Sequence, residues 1–186
     1  EMSASLVGSE MCIRDRLLTD GQSNIIIGTH NGYSVTFKEE AVRDMGRTAS
    51  GVRGIRLREE DYVVGAALMK ENQEVLVITE KGYGKRTKVS EYPVKGRGGK
   101  GIKTANITEK NGPLAGLTTI SGDEDIMLIT DKGVIIRFNV STVSQTGRST
   151  LGVRLMKMEA DTKVVTMAAV EPEAAEQTVE EQGSEE

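Results

Sequence analysis

The side chains best able to do chemistry in this 186-residue chain crowd between Lys81 and Lys103. Eight bases (Lys81, Lys85, Arg86, Lys88, Lys95, Arg97, Lys100 and Lys103) stand there against one acid, Glu91. Glycines interleave them in the run Lys95-Gly96-Arg97-Gly98-Gly99-Lys100-Gly101. Ammonium and guanidinium groups neutralise phosphate, and residues without a Cβ let the main chain approach closely, so the chemistry expected of this segment is contact with a nucleic-acid backbone. The plain alternative, a solvated charged face, does not explain why the bases recur in register, as described below.

Other constellations carry less. Gly96-x-Gly98-x-x-Gly101 matches the dinucleotide fingerprint by letter, but the fingerprint works only where the glycines lead into a helix that receives a pyrophosphate, and a β-like run from Ile102 to Ile107 follows instead. His30 is the single histidine and sits in a turn, so it reads as a turn residue and not as a ligand or catalytic base. Asp123-Glu124-Asp125 reads as a solvated turn. Cys12 is the only cysteine, which excludes a disulfide framework within the chain and a cysteine-based zinc site, and fits a reducing cytoplasm. No catalytic group, metal or cofactor is expected.

The charge is divided by region. The overall charge is −4, yet residues 17–170 hold 22 Lys and Arg against 18 Asp and Glu, while residues 171–186 hold seven Glu and no base. A basic body with an acidic tail is the reading, and the tail, poor in apolar residues, is expected to be disordered. No apolar run approaches the ~18 residues of a membrane helix. Six aromatics and no Trp argue against a platform for stacking single-stranded bases.

The elements that position the bases come from an internal repeat. Thr29-His30-Asn31-Gly32, Thr79-Glu80-Lys81-Gly82 and Thr130-Asp131-Lys132-Gly133 each follow a short aliphatic run. Fourteen residues after each turn glycine come Gly46-Arg47, Gly96-Arg97 and Gly147-Arg148; five residues further come Gly51-Val52-Arg53, Gly101-Ile102-Lys103 and Gly152-Val153-Arg154. Eighteen residues beyond the second landmark lie Val64, Leu114 and Val165. Glycines between β-branched runs are hairpin signals, and Gly32, Gly82 and Gly133 are expected at equivalent turns. Lys38 to Met45 is expected to hold one helical turn. Each copy predicts four short strands, with Ile102 to Ile107 as the third strand of the second copy, and four strands per ~50 residues is the pattern of blades around an axis.

The fold class expected is therefore all-β, with three blades at about 25–74, 75–125 and 126–170, and open edges that make the chain a piece of a larger propeller. Recurrence once per blade aligns the bases along a rim. The residues expected to contact DNA are Lys85, Arg86, Lys95, Arg97, Lys100, Lys103, Arg47, Arg53, Arg137, Arg148 and Arg154.

Residues 17–170 closely resemble the C-terminal domain of the bacterial DNA gyrase A subunit. The resemblance is carried by Ile27-Gly28-Thr29-His30-Asn31-Gly32-Tyr33, by Gly51-Val52-Arg53-Gly54-Ile55-Arg56-Leu57 and by Thr130-Asp131-Lys132-Gly133. It implies a six-bladed β-pinwheel that wraps DNA, with this chain as its last three blades. Family members carry a box, Gln-Arg-Arg-Gly-Gly-Arg-Gly, normally in the first blade; Lys95 to Gly101 is similar to it, matches at Arg97, Gly98, Gly99 and Gly101, and departs at Lys95, Gly96 and Lys100. The partners that the resemblance implies are double-stranded DNA and, in an A2B2 heterotetramer, both the remainder of the gyrase A subunit, which continues this chain, and the gyrase B subunit. It also implies a place in the bacterial cytoplasm on the chromosome, with ATP and Mg²⁺ bound elsewhere in the holoenzyme. The family's active-site tyrosine belongs to an upstream winged-helix domain, a context that none of Tyr33, Tyr62, Tyr83 and Tyr92 shares. The rivals are the matching domain of topoisomerase IV and a protein-binding propeller of the chromosome-condensation-regulator type, whose Trp-Gly signatures are missing from this sequence. Residues 1–16 fit neither repeat nor family and read as a non-native extension.

Overall fold

The computed structural model describes residues 17–46, 48–159 and 161–172. The N-terminal extension, Cys12 within it, Arg47 and the acidic tail beyond Pro172 lie outside the described residues.

Among the described residues, eleven strands are arranged in three antiparallel sheets. In the first repeat β1 (Asn24–Thr29), β2 (Tyr33–Lys38) and β3 (Val63–Met69) pair; in the second, β4 (Glu74–Thr79), β5 (Tyr83–Lys88) and β7 (Leu114–Ile120). The third is built from β8 (Asp125–Thr130), β9 (Ile135–Asn139) and β11 (Val164–Val170). The Thr-x-x-Gly turns are equivalent, as their spacing predicted. Gly32, Gly82 and Gly133 have φ of 81°, 74° and 77°, and each donates its amide to the preceding threonine carbonyl at 3.0 Å. The threonine hydroxyl accepts the next amide, Tyr33 at 3.4 Å, Tyr83 at 3.2 Å or Val134 at 3.1 Å, which explains why the turn begins with Thr. A short 3₁₀ turn follows the hairpin in each repeat, at Glu39–Ala41, Val89–Glu91 and Val140–Thr142.

The fourth strand departs from expectation. Only β6 (Ile102–Lys103) forms within the run read as a strand to Ile107, and it leaves its own repeat to pair with Ser34 and Tyr33 of β2. Likewise β10 (Val153–Arg154) pairs with Gly84 and Tyr83 of β5. The sheet orders are thus β3-β1-β2-β6, β10-β5-β4-β7 and β11-β8-β9, so the third sheet has three strands and not four. Glycine makes the exchange possible. Gly101 and Gly152 have φ of 74° and 81°, and a Cβ there would stand 2.6 Å from Ser34 O or 2.7 Å from Gly84 O. The exchanged segments are pinned again at the preceding hairpin, where Gly32 O accepts the amides of Thr104 and Ala105, and Gly82 O those of Leu155 and Met156.

The eighteen-residue landmark is out of register in two copies. Thr29, Thr79 and Thr130 pair with Val63, Leu114 and Val164, so the equivalent residues precede Val64 and Val165 by one. A one-residue slip reverses the facing of a strand residue: Val164 is 1% exposed and Val165 47%.

Packing follows the two-residue period. Val75 and Val77 of β4 face the first repeat with Ile26, Ala67, Met69, Leu114 and Leu117, while Leu76 and Ile78 face the third with Ile126, Leu128, Val140 and Val164. A strand sandwiched on both sides needs a continuous aliphatic run, and Glu74–Thr79 supplies one. Each such buried Leu or Ile contributes about 1.5–3 kcal/mol. Among the described residues no helix is long and apolar enough to cross a membrane.

Candidate nucleic-acid interface

Two glycine-rich loops, residues 93–101 and 144–152, cross the sheets of the preceding repeats in the same way. Lys95 donates its amide to Thr36 O at 2.8 Å, and Thr146 donates its amide to Arg86 O at 2.9 Å. The landmark arginines are equivalent too. Arg97 donates Nη1 to Arg53 O at 2.6 Å and Nε to Ala41 O at 3.1 Å, while Arg148 donates Nη1 to Lys103 O. A planar fork of donors suits such carbonyl bridging. Both were expected to read phosphate; the structure shows both holding the third landmark of the preceding repeat, which gives them a positioning role.

At the second loop, further expected contacts are withdrawn. Lys85 is 1% exposed, and its ammonium donates to Gly147 O at 2.9 Å, Arg148 O at 2.5 Å and Thr150 Oγ1 at 3.2 Å. Burial pushes its pKa down to about 8, with Glu91 opposing and Arg148 adding to the shift. Arg86 is held by Val143 O at 2.7 Å and by Glu74 Oε2 at 2.9 Å. The exchanged loop encloses Lys85, whereas Arg86 lies on the opposite face of β5, partly exposed and tied to these partners. Arg137 is also engaged, donating to Asp125 Oδ2 at 2.8 Å and Glu171 O at 3.0 Å.

The first loop gathers its bases at the surface. Arg56 donates its amide to Gly99 O at 2.8 Å, Gly98 to Gly54 O at 2.7 Å, and Arg58 donates Nη1 to Lys100 O at 2.8 Å, so residues 53–58 lie along residues 95–100. Arg53, Arg56, Lys95 and Lys100 are exposed there, and Lys103 is exposed with Nζ 3.3 Å from Asn106 Oδ1. Arg154 is exposed and donates Nη2 to Tyr83 Oη at 3.1 Å. Arg56 and Arg58 were missed by sequence reasoning. Their signal was the basic run Arg53-x-x-Arg56-x-Arg58, but its value depends on docking against a loop some forty residues away. Arg58 also lies 3.3 Å over the Tyr33 ring, a cation–π contact that fixes its direction.

The remaining candidates have structural partners. His30 stacks on Tyr62 at 4.4 Å, and its Nε2 lies 3.3 Å from Glu80 Oε1. Burial, then Glu80 and Asp61, raise the Tyr62 pKa. Tyr92 is buried with its hydroxyl 2.8 Å from Thr104 Oγ1. Glu124 folds back on its turn: burial works to raise its pKa, but the Ser121 and Gly122 amides bonded to the carboxylate leave it lowered. Gly96 to Gly101 leads into strand β6 and not into a helix, so the fingerprint lacks its phosphate-receiving helix terminus.

Comparison with known proteins agrees with this architecture. The chain matches the family described as DNA gyrase C-terminal domain, beta-propeller, over residues 23–68, 73–121 and 124–171. It is 50% identical over 169 residues to the DNA gyrase A subunit of Staphylococcus aureus strains MRSA252 and NCTC 8325, covering 90% of this chain and 19% of theirs. The chain therefore spans about a fifth of the length of these relatives. Among solved structures, the C-terminal domain of DNA topoisomerase IV superposes with a TM-score of 0.79 at 29% identity, over 83% of this chain and 49% of that one. The DNA gyrase A C-terminal domain gives 0.76 at 26%, over 81% and 52%. The E. coli ParC C-terminal domain, at 0.62 and 13%, shares the fold.

Proposed function

Because the chain belongs to the DNA gyrase C-terminal domain family, we propose that it binds duplex DNA through the phosphate backbone, as part of a gyrase A subunit, and bends the duplex along its rim. The observation that carries this reading is the docking of residues 53–58 along residues 95–100, which brings Arg53, Arg56, Lys95 and Lys100 to one exposed surface. Base edges are not what such a surface reads. Ammonium groups on a glycine-rich loop meet phosphates, so binding is indifferent to sequence and strongly salt-dependent. A curved row of phosphate contacts also repays the bending of DNA, so long duplexes bind more tightly than short ones.

On this reading the fragment supplies DNA contact to a type II topoisomerase. Strand cleavage, ATP and Mg²⁺ belong to the remainder of the gyrase A polypeptide and to its gyrase B partner, and the assembly works in the bacterial cytoplasm on the chromosome. The 50% identity to the gyrase A subunit supports gyrase over topoisomerase IV, whose structural neighbour stands at 29%.

The test is affinity for unrelated duplexes as a function of salt. Log affinity is expected to fall with log salt by about 0.9 per phosphate neutralised, with the same slope for every sequence. Affinity that varies strongly with sequence, or that ignores salt, would contradict the reading.

A further inference from the structure

The two internal strand exchanges leave one donor and one acceptor of the same kind unused among the described residues. Within the chain, Ile102–Lys103 pairs with Ser34 and Tyr33, and Val153–Arg154 with Gly84 and Tyr83. The equivalent donor in the first repeat is Val52-Arg53, and the equivalent acceptor in the third is Ile135 with Val134. Residues 51–53 join no sheet, and β9 is the edge of the third sheet.

Both ends already have the shape that pairing needs. Gly51 has φ of 75°, like Gly101 at 74° and Gly152 at 81°. Nothing lies within 4 Å of the place of its missing Cβ, where the other two have Ser34 O and Gly84 O at 2.6 and 2.7 Å. The left-handed turn is thus formed before any backbone stands against it. On the acceptor side, Val134 is 48% and Ile135 54% exposed, whereas under the exchanged strands Ser34 is 0% and Tyr83 6% exposed. An open apolar strand edge is a template for a further strand.

The faces behind these edges match as well. Leu76 and Ile78 of β4 pack against Ile126 and Leu128 of the next repeat. One repeat further on, their equivalents are Met127 and Ile129, which by the two-residue period turn away from Ile126 and Leu128, with Ile135 beside Ile129. At the other end, the equivalents of Ile126 and Leu128 are Ile25 and Ile27, which turn away from the buried Ile26 and are only half-buried. These two apolar faces are the halves of a junction that the chain makes twice internally.

We propose that the partner of both ends is a second copy of this chain: Val52-Arg53 of each copy adds to β9 of the other, and two half-wheels close a ring through two identical junctions. In each junction Val52 lies beside Ile135 and Arg53 beside Val134. Gly133 O receives the amides of Gly54 and Ile55, as Gly32 O and Gly82 O receive their pairs within the chain. Length favours two copies: the chain covers 49% and 52% of the topoisomerase IV and gyrase A domains superposed above, so two copies supply the sheets of one such domain. A donor-to-acceptor contact that closes satisfies every end, whereas one that does not close builds a filament. Lys103 and Arg154 stay exposed in their own exchanges, so Arg53 keeps its outward direction. The inference rests on the exchange geometry and not on the DNA-binding reading.

The experiment is sedimentation of the 186-residue chain from micromolar to near-millimolar concentration, where an equilibrium of monomer and dimer is expected with no larger species. Gly51→Ala puts a Cβ where Ile135 O of the second copy lies, and Ile135→Lys sets a charge on the open edge. Each is expected to weaken dimerisation about a hundredfold, tenfold for each of the two junctions, with an unchanged circular dichroism spectrum. A mixture of the two variants keeps one intact junction, Val52-Arg53 of the Ile135→Lys chain on β9 of the Gly51→Ala chain. It is expected to dimerise about tenfold more tightly than either variant alone. A monomer at every concentration would overturn the proposal and leave the two ends to a segment outside these residues. A ladder of ever larger species would overturn closure by two copies. Dimers that survive both substitutions, or that the mixture does not restore, would overturn the assigned junction.

Discussion

Loops 93–101 and 144–152 share a position, a glycine pattern and a landmark arginine, yet they use positive charge in opposite ways. The second spends its cations inward: Lys85 is buried against Gly147 O, Arg148 O and Thr150 Oγ1, and Arg86 is tied to Val143 O and Glu74. The first keeps Lys95 and Lys100 exposed, lies alongside Arg53 and Arg56, and covers a cavity where the second has an ammonium. One repeat thus yields a lock and an exposed basic surface. Charge counted along the sequence cannot distinguish them, because a base acts outward only where its strand position and its neighbours leave it there.

The largest effect expected concerns what both loops share. Gly101→Ala combines a positive φ with a Cβ 2.6 Å from Ser34 O, and Gly152→Ala does the same at 2.7 Å from Gly84 O. Each is expected to cost about 3 kcal/mol or more in denaturant unfolding, from left-handed strain plus overpacking against backbone. Gly51 has φ of 75° with nothing within 4 Å, so Gly51→Ala carries only the strain, about 1–2 kcal/mol. Equal costs at the three positions would remove strand exchange as the reason for these glycines.

Next comes the lock. Lys85→Met keeps the length of the side chain but leaves Arg148 O without its donor, while Gly147 O and Thr150 Oγ1 keep Thr150 and Thr146 as partners, and is expected to cost about 2 kcal/mol. The pH dependence has a definite sign. With the folded pKa pushed down to about 8 from 10.5, the unfolded chain holds the extra proton between those values, so stability rises as pH climbs through that window. Below about pH 8 the full penalty of burying the charge is present. Lys85→Met is expected to lack this rise in pH-resolved melts, and a variant that kept it would assign the rise to another group.

Little of this contrast was legible in the sequence. The Thr-x-x-Gly turns were, because a hairpin glycine and its capping threonine are local. The exchange of Ile102–Lys103 onto Tyr33–Ser34 was not: two residues of strand leave no periodicity, and their partners lie about seventy positions away. Lysine in an alternating run reads as solvent-facing, so the burial of Lys85 could be found only once the loop of the next repeat was seen to lie over it. The slip at Val165 has the same origin. An apolar landmark counted across a variable loop fixes a strand to within one residue, and one residue reverses its face.

The contact surface predicts smaller changes in stability and larger ones in binding. Lys95→Ala/Lys100→Ala is expected to stay within about 0.5 kcal/mol of the parent in unfolding, as substitutions of exposed side chains do. The same variant is expected to weaken binding to all duplexes alike and to flatten the salt slope by up to ~2. Arg97→Ala, in contrast, is expected to loosen the loop itself, seen as faster exchange of the Arg56 and Gly98 amides that bond across it.

The smallest effect expected belongs to the acidic tail. If the seven glutamates of residues 171–186 compete with phosphate at high effective concentration, removing Glu171 to Glu186 is expected to tighten DNA binding modestly at low salt and not at high salt. Unchanged affinity at low ionic strength would count against that competition.

Amide hydrogen exchange with and without a long duplex compares the two loops in a single sample. The account predicts new protection over residues 53–58 and 95–101, with residues 145–150 unchanged because they are already held by Lys85 and Arg86. Protection gained equally at 145–150, or there alone, would contradict the division of the two loops into a contact surface and a lock.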